Sequence, residues 1–279
     1  MKFTKMHGLG NDFIIFDERE KLSEVNFIEL TPKICDRNMG VGADGVIRVL
    51  PSNHADYRME IINSDGSIPE MCGNGIRCFA KYVYEHSPDH KEVFSVETPA
   101  GLIIPAMEIQ NKKVVAVEVD MGEPILEPAK IPVKNFEKAP VLNQTLEAAG
   151  QKFVFSAVSM GNPHVVIEVE GLESLNVAQI GPQIEHHPWF PARTNVHFIT
   201  VNNRNSLTVR HWERGAGETL ACGTGACACV VAMVLAGKVE RKVSVNVPGG
   251  VLKIQWDADT NHVLMTGPAA KVFEGEISI

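Results

Sequence analysis

The sequence predicts an α+β fold of two pseudo-repeated domains, each a strongly curved sheet wrapped around a central helix, with an active site in the cleft between them. Three observations carry this prediction. The stretches Met71-Cys72-Gly73-Asn74-Gly75-Ile76-Arg77-Cys78 and Ala221-Cys222-Gly223-Thr224-Gly225-Ala226-Cys227 are near copies with their first cysteines 150 positions apart, and each leads into an apolar, helix-forming run. At 279 residues the chain has the length of two ordinary domains. Short β-branched runs bounded by Gly, Pro, Asp and Asn dominate on both sides.

In chain order, Phe13-Ile14-Ile15-Phe16 and residues 45–50 are short apolar runs, while 57–62 alternates, so all three read as strands. Residues 27–38 have helical spacing around Pro32. Behind Cys72, residues 74–86 carry Ile76, Phe79, Ala80 and Val83 three and four apart, the pattern of an amphipathic helix. Strand patterning resumes at 93–96, 102–106 and 114–119. Residues 121–140 hold four prolines and no clear period, which suits an interdomain crossing. Beyond them, strands are expected at 152–158, 164–169, 196–201 and 206–212, with helices near 177–186 and over 224–235, the latter closed by Gly237.

Composition excludes several classes. A hydrophobic fraction of 44% with 22% charged residues describes a soluble globular protein. A net charge of -8 without a basic stripe argues against nucleic acid as a partner. No apolar run reaches the roughly 18 residues of a membrane span, and Met1-Lys2-Phe3-Thr4-Lys5-Met6-His7 lacks a signal peptide's apolar block, so no membrane association and a cytoplasmic location are expected. The six cysteines are then expected to be reduced thiols. Cys222, Cys227 and Cys229 cluster, but not with Cys-x-x-Cys spacing, and no metal is assigned.

The paired Cys-Gly-x-Gly steps suggest specific chemistry. The first amides of a helix lack intrahelical partners and lie at the positive end of its dipole. A thiol at that position is expected to have its pKa lowered from about 8.5 toward neutrality, and flanking glycines are expected to let a ligand carboxylate approach the amides. A thiolate on one face of a carbon and a thiol on the other invert a stereocentre: one removes a proton and the other supplies one. Amides around the carboxylate stabilise the developing carbanion, so no cofactor is required. The expected reaction is racemisation or epimerisation alpha to a carboxylate.

Polar residues in glycine-rich or prolyl turns complete the candidate site. They are Asn11, Asn63, Asn162, His164, Asn195, Glu213 and Arg214. Taken singly, each Asn is a turn former, Glu213 with Arg214 is an exposed charge pair, and His164 is a hydrogen-bonded structural imidazole. Together they suit a zwitterionic amino acid, with Arg214 pairing a carboxylate and Glu213 accepting from an ammonium.

These segments, with Lys5-Met6-His7-Gly8-Leu9-Gly10-Asn11-Asp12-Phe13, Asn63-Ser64-Asp65-Gly66, Ser159-Met160-Gly161-Asn162-Pro163-His164 and Glu213-Arg214-Gly215-Ala216-Gly217-Glu218-Thr219, occur in the order found in diaminopimelate epimerases. The chain resembles that family, whose members interconvert LL- and meso-diaminopimelate without a cofactor on the route to lysine and peptidoglycan. The resemblance implies that Cys72 and Cys222 are the acid/base thiols, assisted by His164 and Glu213. It implies that the amides of Gly73, Asn74, Gly223 and Thr224 hold the reacting carboxylate. Asn11, Asn63, Asn162, Asn195, Glu213 and Arg214 would bind the ammonium groups and the distal carboxylate. The resemblance also places the chain end with the first domain, giving domains of 1–119 plus 268–279 and of 120–267, and implies a homodimer. Gly45 stands where many members have Gln, and Phe273 where some have Tyr, so a ligand contact and a hydroxyl are absent. The alternative readings are a related racemase of another amino acid such as histidine, and a non-catalytic amino-acid-binding or thiol-redox protein.

Overall fold

The computed structural model describes residues 1–69 and 72–278, so Met71 of the first repeated step lies outside the described residues. The fold is α+β, and the chain forms two compact units, Met1–Asp120 with Thr266–Ile279, and Met121–Met265.

In the first unit β1 (Lys2–Gly8) and β2 (Asn11–Asp17) form a hairpin and α1 (Phe27–Cys35) crosses to β3 (Gly45–Leu50). β4 (Tyr57–Asn63), α2 (Gly73–His86), β5 (Val96–Thr98) and β6 (Gly101–Ile103) follow, then the hairpin of β7 (Ala106–Gln110) and β8 (Lys113–Asp120). The sheet order is β18-β1-β2-β3-β4-β5-β6, where β18 (Ala270–Glu276) is the returning chain end. β2–β3 and β4–β5 are parallel because a helix connects each pair. Phe27, Thr31, Ile34 and Cys35 bury one face of α1 over Ile14, Phe16, Val46 and Ile62. α2 packs against β1 to β4 and β8 and is buried from Gly73 to Ala80, and Lys81 donates to Glu85 at 2.7 Å and to the Val114 carbonyl of β8 at 2.6 Å.

In the second unit β9 (Val141–Ala148), β10 (Gln151–Ser159) and β11 (Pro163–Glu168) form a meander, and α3 (Val177–Glu185) crosses to β12 (Asn195–Asn203). β13 (Ser206–Glu213), the short β14 (Gly217–Thr219), α4 (Gly223–Leu235), β15 (Lys242–Val247) and β16 (Gly250–Trp256) complete it, and β17 (Val263–Gly267) leads out. Strand order is β17-β16-β15-β13-β12-β11-β10-β9, with β14 alongside β13. Val177, Ile180 and Ile184 of α3 cover one face, over Phe155, Val165, Ile167, Val196 and Phe198. α4 lies against β10, β11, β12 and β16 and is apolar all round, as a helix enclosed by sheet must be.

Several expectations are corrected. α1 ends at Cys35 rather than 38, because the Asp36 carboxylate accepts from the amides of Asn38 at 2.8 Å and Met39 at 2.7 Å, a local turn that competes with the helix. Residues 93–95 are not strand, since the Ser95 amide donates to Asp56 at 2.8 Å. The run 102–106 is split at Pro105, which has no amide hydrogen for a ladder. Residues 121–140 are not a bare crossing: they belong to the second unit, and Ile131 and Val133 enter its core. β1, β9 and β15 to β18 lie where no strand is expected from the sequence.

The two repeated steps are built alike. Cys72 (φ -141°, ψ 111°) and Cys222 (φ -123°, ψ 109°) are extended N-caps whose carbonyls accept from Ile76 and Ala226, each at 2.9 Å. The second glycine of each step faces the sheet: a Cβ on Gly75 would lie 2.8 Å from Ile61 Cδ1, and one on Gly225 would lie 2.4 Å from His197 Cε1. The expected access of a ligand to glycine is therefore corrected for Gly75 and Gly225, which let the helix start touch the sheet instead. Gly225→Ala is expected to cost about 1–3 kcal/mol through this overlap, outweighing the roughly 1 kcal/mol gained in helix propensity. Thermal unfolding checks it, with a fall of at least about 2 °C expected.

Candidate active site

In the first unit the site residues are joined through Asn11. The Asn11 Oδ1 accepts from Asn74 Nδ2 at 3.0 Å and lies 3.7 Å from Cys72 Sγ, while its Nδ2 donates to Asp44 Oδ2 at 2.8 Å. Asp44 is held by Arg37 at 2.7 Å. Asn74 Oδ1 accepts from Arg77 at 2.8 Å, and this fully buried guanidinium also donates to the carbonyls of Gly73 at 3.1 Å and Pro268 at 3.3 Å. The Gly75 amide donates to Cys72 Sγ at 3.4 Å. The amides of Gly73 and Asn74 precede the first intrahelical bond, so the helix itself leaves them without an acceptor.

Asn63 ends β4 and binds locally: its amide donates to the Ser67 carbonyl at 2.8 Å and its Nδ2 to Ser67 Oγ at 2.9 Å. Neighbouring Gly45 has no room for a side chain, since a Cβ would lie 2.7 Å from the Ile62 carbonyl oxygen. Phe273 on β18 packs edge-on against Phe3 at 5.9 Å.

In the second unit β11, β12 and β13 bring Asn162, His164, Asn195, Glu213 and Arg214 together. Asn195, paired with His164 in register, binds backbone with each end of its amide: Oδ1 accepts from the Arg214 amide at 2.9 Å and Nδ2 donates to the Pro163 carbonyl at 2.9 Å. Exposed Arg214 donates to the Ala192 carbonyl at 2.9 Å. Glu213 accepts from Thr219 Oγ1 at 2.6 Å. His164 has both ring nitrogens engaged, Nε2 with Asn162 Oδ1 and Nδ1 with His197, each at 2.8 Å. Cys222 Sγ lies 3.7 Å from Thr224 Oγ1, and the amides of Gly223 and Thr224 open α4 as those of Gly73 and Asn74 open α2.

Electrostatics correct one expectation. Burial, reinforced by the charge of Glu213 and a hydrogen bond with it, pushes the Cys222 thiol well above its ordinary pKa, against the helix-dipole effect that was expected to lower it. The His164 imidazole is pushed down to about 3 by burial, with the charges of His211 and Arg214 adding, and burial alone takes His211 to about 3.

The sequence does not single out Asp44, Glu185, His197 or His211. Buried Glu185 accepts from Trp212 Nε1 at 2.7 Å and the Gly215 amide at 3.2 Å, fixing the turn that bears Arg214. A polar residue at a core-facing phase of a strand, as His197 and His211 are, is the one signal that marks them. Among the described residues no group of three or more His, Cys, Asp and Glu is arranged to hold a metal ion, nor is any helix long and apolar enough to cross a membrane.

Two predictions arise here. Cys222, 4% exposed and held protonated, is expected to alkylate with iodoacetamide at pH 7.5 at least about tenfold more slowly than a free thiol. Peptide mass spectrometry over time checks this. His164, His197 and His211 stay neutral when folded, whereas in the unfolded chain they take up protons near pH 6.5. Below that pH the unfolded state binds more protons, so stability falls as pH falls, by about 1.4 kcal/mol per unit for each imidazole until its folded pKa is reached. Urea unfolding between pH 7 and 5 measures it, and a flat profile contradicts a neutral trio.

Comparison with known proteins agrees with this construction. The family model described as diaminopimelate epimerase matches residues 3–127 and 156–272. The diaminopimelate epimerase of Desulfitobacterium hafniense is 55% identical over 277 residues, 99% of this chain and 97% of that protein. That of Acetivibrio thermocellus is 50% identical over 279 residues, covering 100% and 99%. Among solved structures, a PhzF-family phenazine biosynthesis protein from Bacillus anthracis superposes with a TM-score of 0.71 at 17% identity, covering 100% of this chain and 99% of that one. A probable proline racemase from Agrobacterium radiobacter gives 0.68 at 15% identity, covering 100% and 93%. Those two likenesses concern the fold, whereas the family model and the full-length relatives decide the family: the chain belongs to the diaminopimelate epimerases.

Proposed function

We propose that this protein epimerises LL-diaminopimelate to meso-diaminopimelate by two-base chemistry between Cys72 and Cys222. The observation that carries the reading is the pair of helix starts that each have a cysteine at the N-cap position, in a chain of this family. Each compact unit is read as one epimerase domain supplying one thiol.

In the direction that starts from a protonated Cys222, the Cys72 thiolate takes the alpha proton while the Cys222 thiol gives its proton to the opposite face of the same carbon. Cys72 ends as the thiol and Cys222 as the thiolate, and the reverse direction exchanges their roles. Glu213 and burial, which hold Cys222 protonated, support this assignment. The amides of Gly73, Asn74, Gly223 and Thr224 are read as the donors that stabilise charge developing on the carboxylate. No cofactor enters these steps.

Asn11, Asn63, Asn162 and Arg214 are read as contacts to the remaining carboxylate and ammonium groups, with Glu213 accepting from an ammonium. Asn195 is read as a further such contact, held in place by the backbone bonds it makes. His164, with both nitrogens engaged, is read as assisting by orientation rather than by exchanging a proton. The protein is read as a cytoplasmic homodimer. β18, a sheet edge with Val272 and Phe273 exposed, is one surface available to a second copy.

Proton NMR with LL-diaminopimelate in deuterated water tests the reaction. The alpha-proton signal is expected to disappear as meso product forms, and Cys72→Ser and Cys222→Ser are each expected to abolish epimerisation while slowing proton loss unequally from the two configurations. Exchange with L-histidine alone would reassign the substrate, and exchange with no amino acid would overturn the reading. Light scattering on the eluting protein measures the oligomeric state, with twice the 30.5 kDa chain mass expected.

A further inference from the structure

Three histidines on adjacent strands stand in file beneath the start of α4. His164 on β11, His197 on β12 and His211 on β13 have no exposed surface. His164 Nε2 meets Asn162 Oδ1, His164 Nδ1 meets His197 Nε2, and His197 Nδ1 meets His211 Nδ1, all at 2.8 Å. His197 and His211 are directly opposite in the antiparallel ladder. At the far end His211 Nε2 is buried without a hydrogen-bond partner among the described residues. The middle ring supports the helix start that carries Cys222, since a Cβ on Gly225 would overlap His197 Cε1.

With neutral rings and the Asn162 amide oriented as it is, one proton pattern satisfies every contact. Asn162 Oδ1 only accepts, so His164 carries its hydrogen on Nε2 and accepts at Nδ1. His197 must then donate from Nε2 and accept at Nδ1, and His211 must donate from Nδ1. The opposite pattern turns over the Asn162 amide, switches all three tautomers together and leaves a His211 N–H buried with nothing to accept it. Both patterns leave His211 Nε2 without a partner, as a bare lone pair in the first and as an N–H in the second, and a buried orphaned N–H is the less tolerated of the two. Asn162 orientation is thereby coupled to His211, three hydrogen bonds away.

We propose that His197 and His211 are positioning residues for the reaction: by fixing the tautomer of His164 they hold the Asn162 amide in a single orientation. The inference rests on the proposed reading of Asn162 as a substrate contact. It assigns a role to two buried imidazoles that exchange no proton with substrate.

The near-isosteric variants His211→Leu and His211→Asn test it on the full-length protein. Leu removes the donor to His197, whereas Asn places an amide nitrogen near the position of Nδ1. Long-range proton–nitrogen NMR at pH 7 on protein labelled with 15N-histidine reads the tautomers directly. The wild type is expected to show Nε2–H on His164 and His197 and Nδ1–H on His211. His211→Leu is expected to lose the single-tautomer signature at His164 and at least about fivefold in kcat/KM, with folding retained. His211→Asn is expected to restore both. A wild-type spectrum with another tautomer set, or charged rings, overturns the proposal. So does a His211→Leu enzyme whose kcat/KM stays within about twofold. If His211→Leu does not fold, the wild-type spectrum and the activity of His211→Asn still decide the outcome. Absence of exchange with every amino acid by the wild-type enzyme would remove the proposed reaction while leaving the tautomer result to stand or fall separately.

Discussion

The structure depends on one close approach made twice: the first turn of a buried helix pressed against a sheet, with a cysteine as its cap. Gly75 meets Ile61 and Gly225 meets the His197 ring at distances that exclude a Cβ. This sets the first amides of each helix, which the helix itself leaves without acceptors, and the cap cysteine against the sheet. The cost of a glycine in a helix, about 1 kcal/mol relative to alanine, is offset by contacts that no larger residue permits.

Around each start the polar side chains bind one another first. Asn11 bridges Cys72, Asn74 and Asp44, and Arg77 secures Asn74 from below. Asn195 ties the turns at Pro163 and Arg214, and Glu185 holds the Arg214 turn from its other side. Side chains locked in this way meet a ligand with little reorganisation, which is where electrostatic stabilisation gains most. A buried guanidinium such as Arg77 would be costly alone, but its bonds to Asn74 and to the carbonyls of Gly73 and Pro268 satisfy it.

The thiol environments show why position on a helix does not by itself set acidity. The dipole at an N-terminus favours a thiolate, yet Cys222 is held protonated because burial and a neighbouring carboxylate outweigh it. A proton resting on one thiol is what the proposed two-base reaction needs at the start of a turnover. Burial acts in the opposite sense on the histidines, keeping them neutral and able both to donate and to accept.

The sequence by itself determined the two helices that begin at a cysteine, the strands at 45–50 and 57–62, and the polar turns at Asn11, Asn162 and Glu213-Arg214. Those features are written in local spacing: a three-to-four period, an alternation, or a cysteine between glycines. The family could be read the same way, from motifs in order along the chain. Tertiary structure alone decided the rest. β1, β9 and β15 to β18 are specified by partners far away in sequence, and Asp36, Asp56 and Pro105 redirect backbone bonds that periodicity does not record. The file from Asn162 to His211 spans three strands whose register no local pattern reveals, and the protonation of Cys222 depends on what covers it. Hydrogen bonds and desolvation act through space, so they become visible only when the chain is folded.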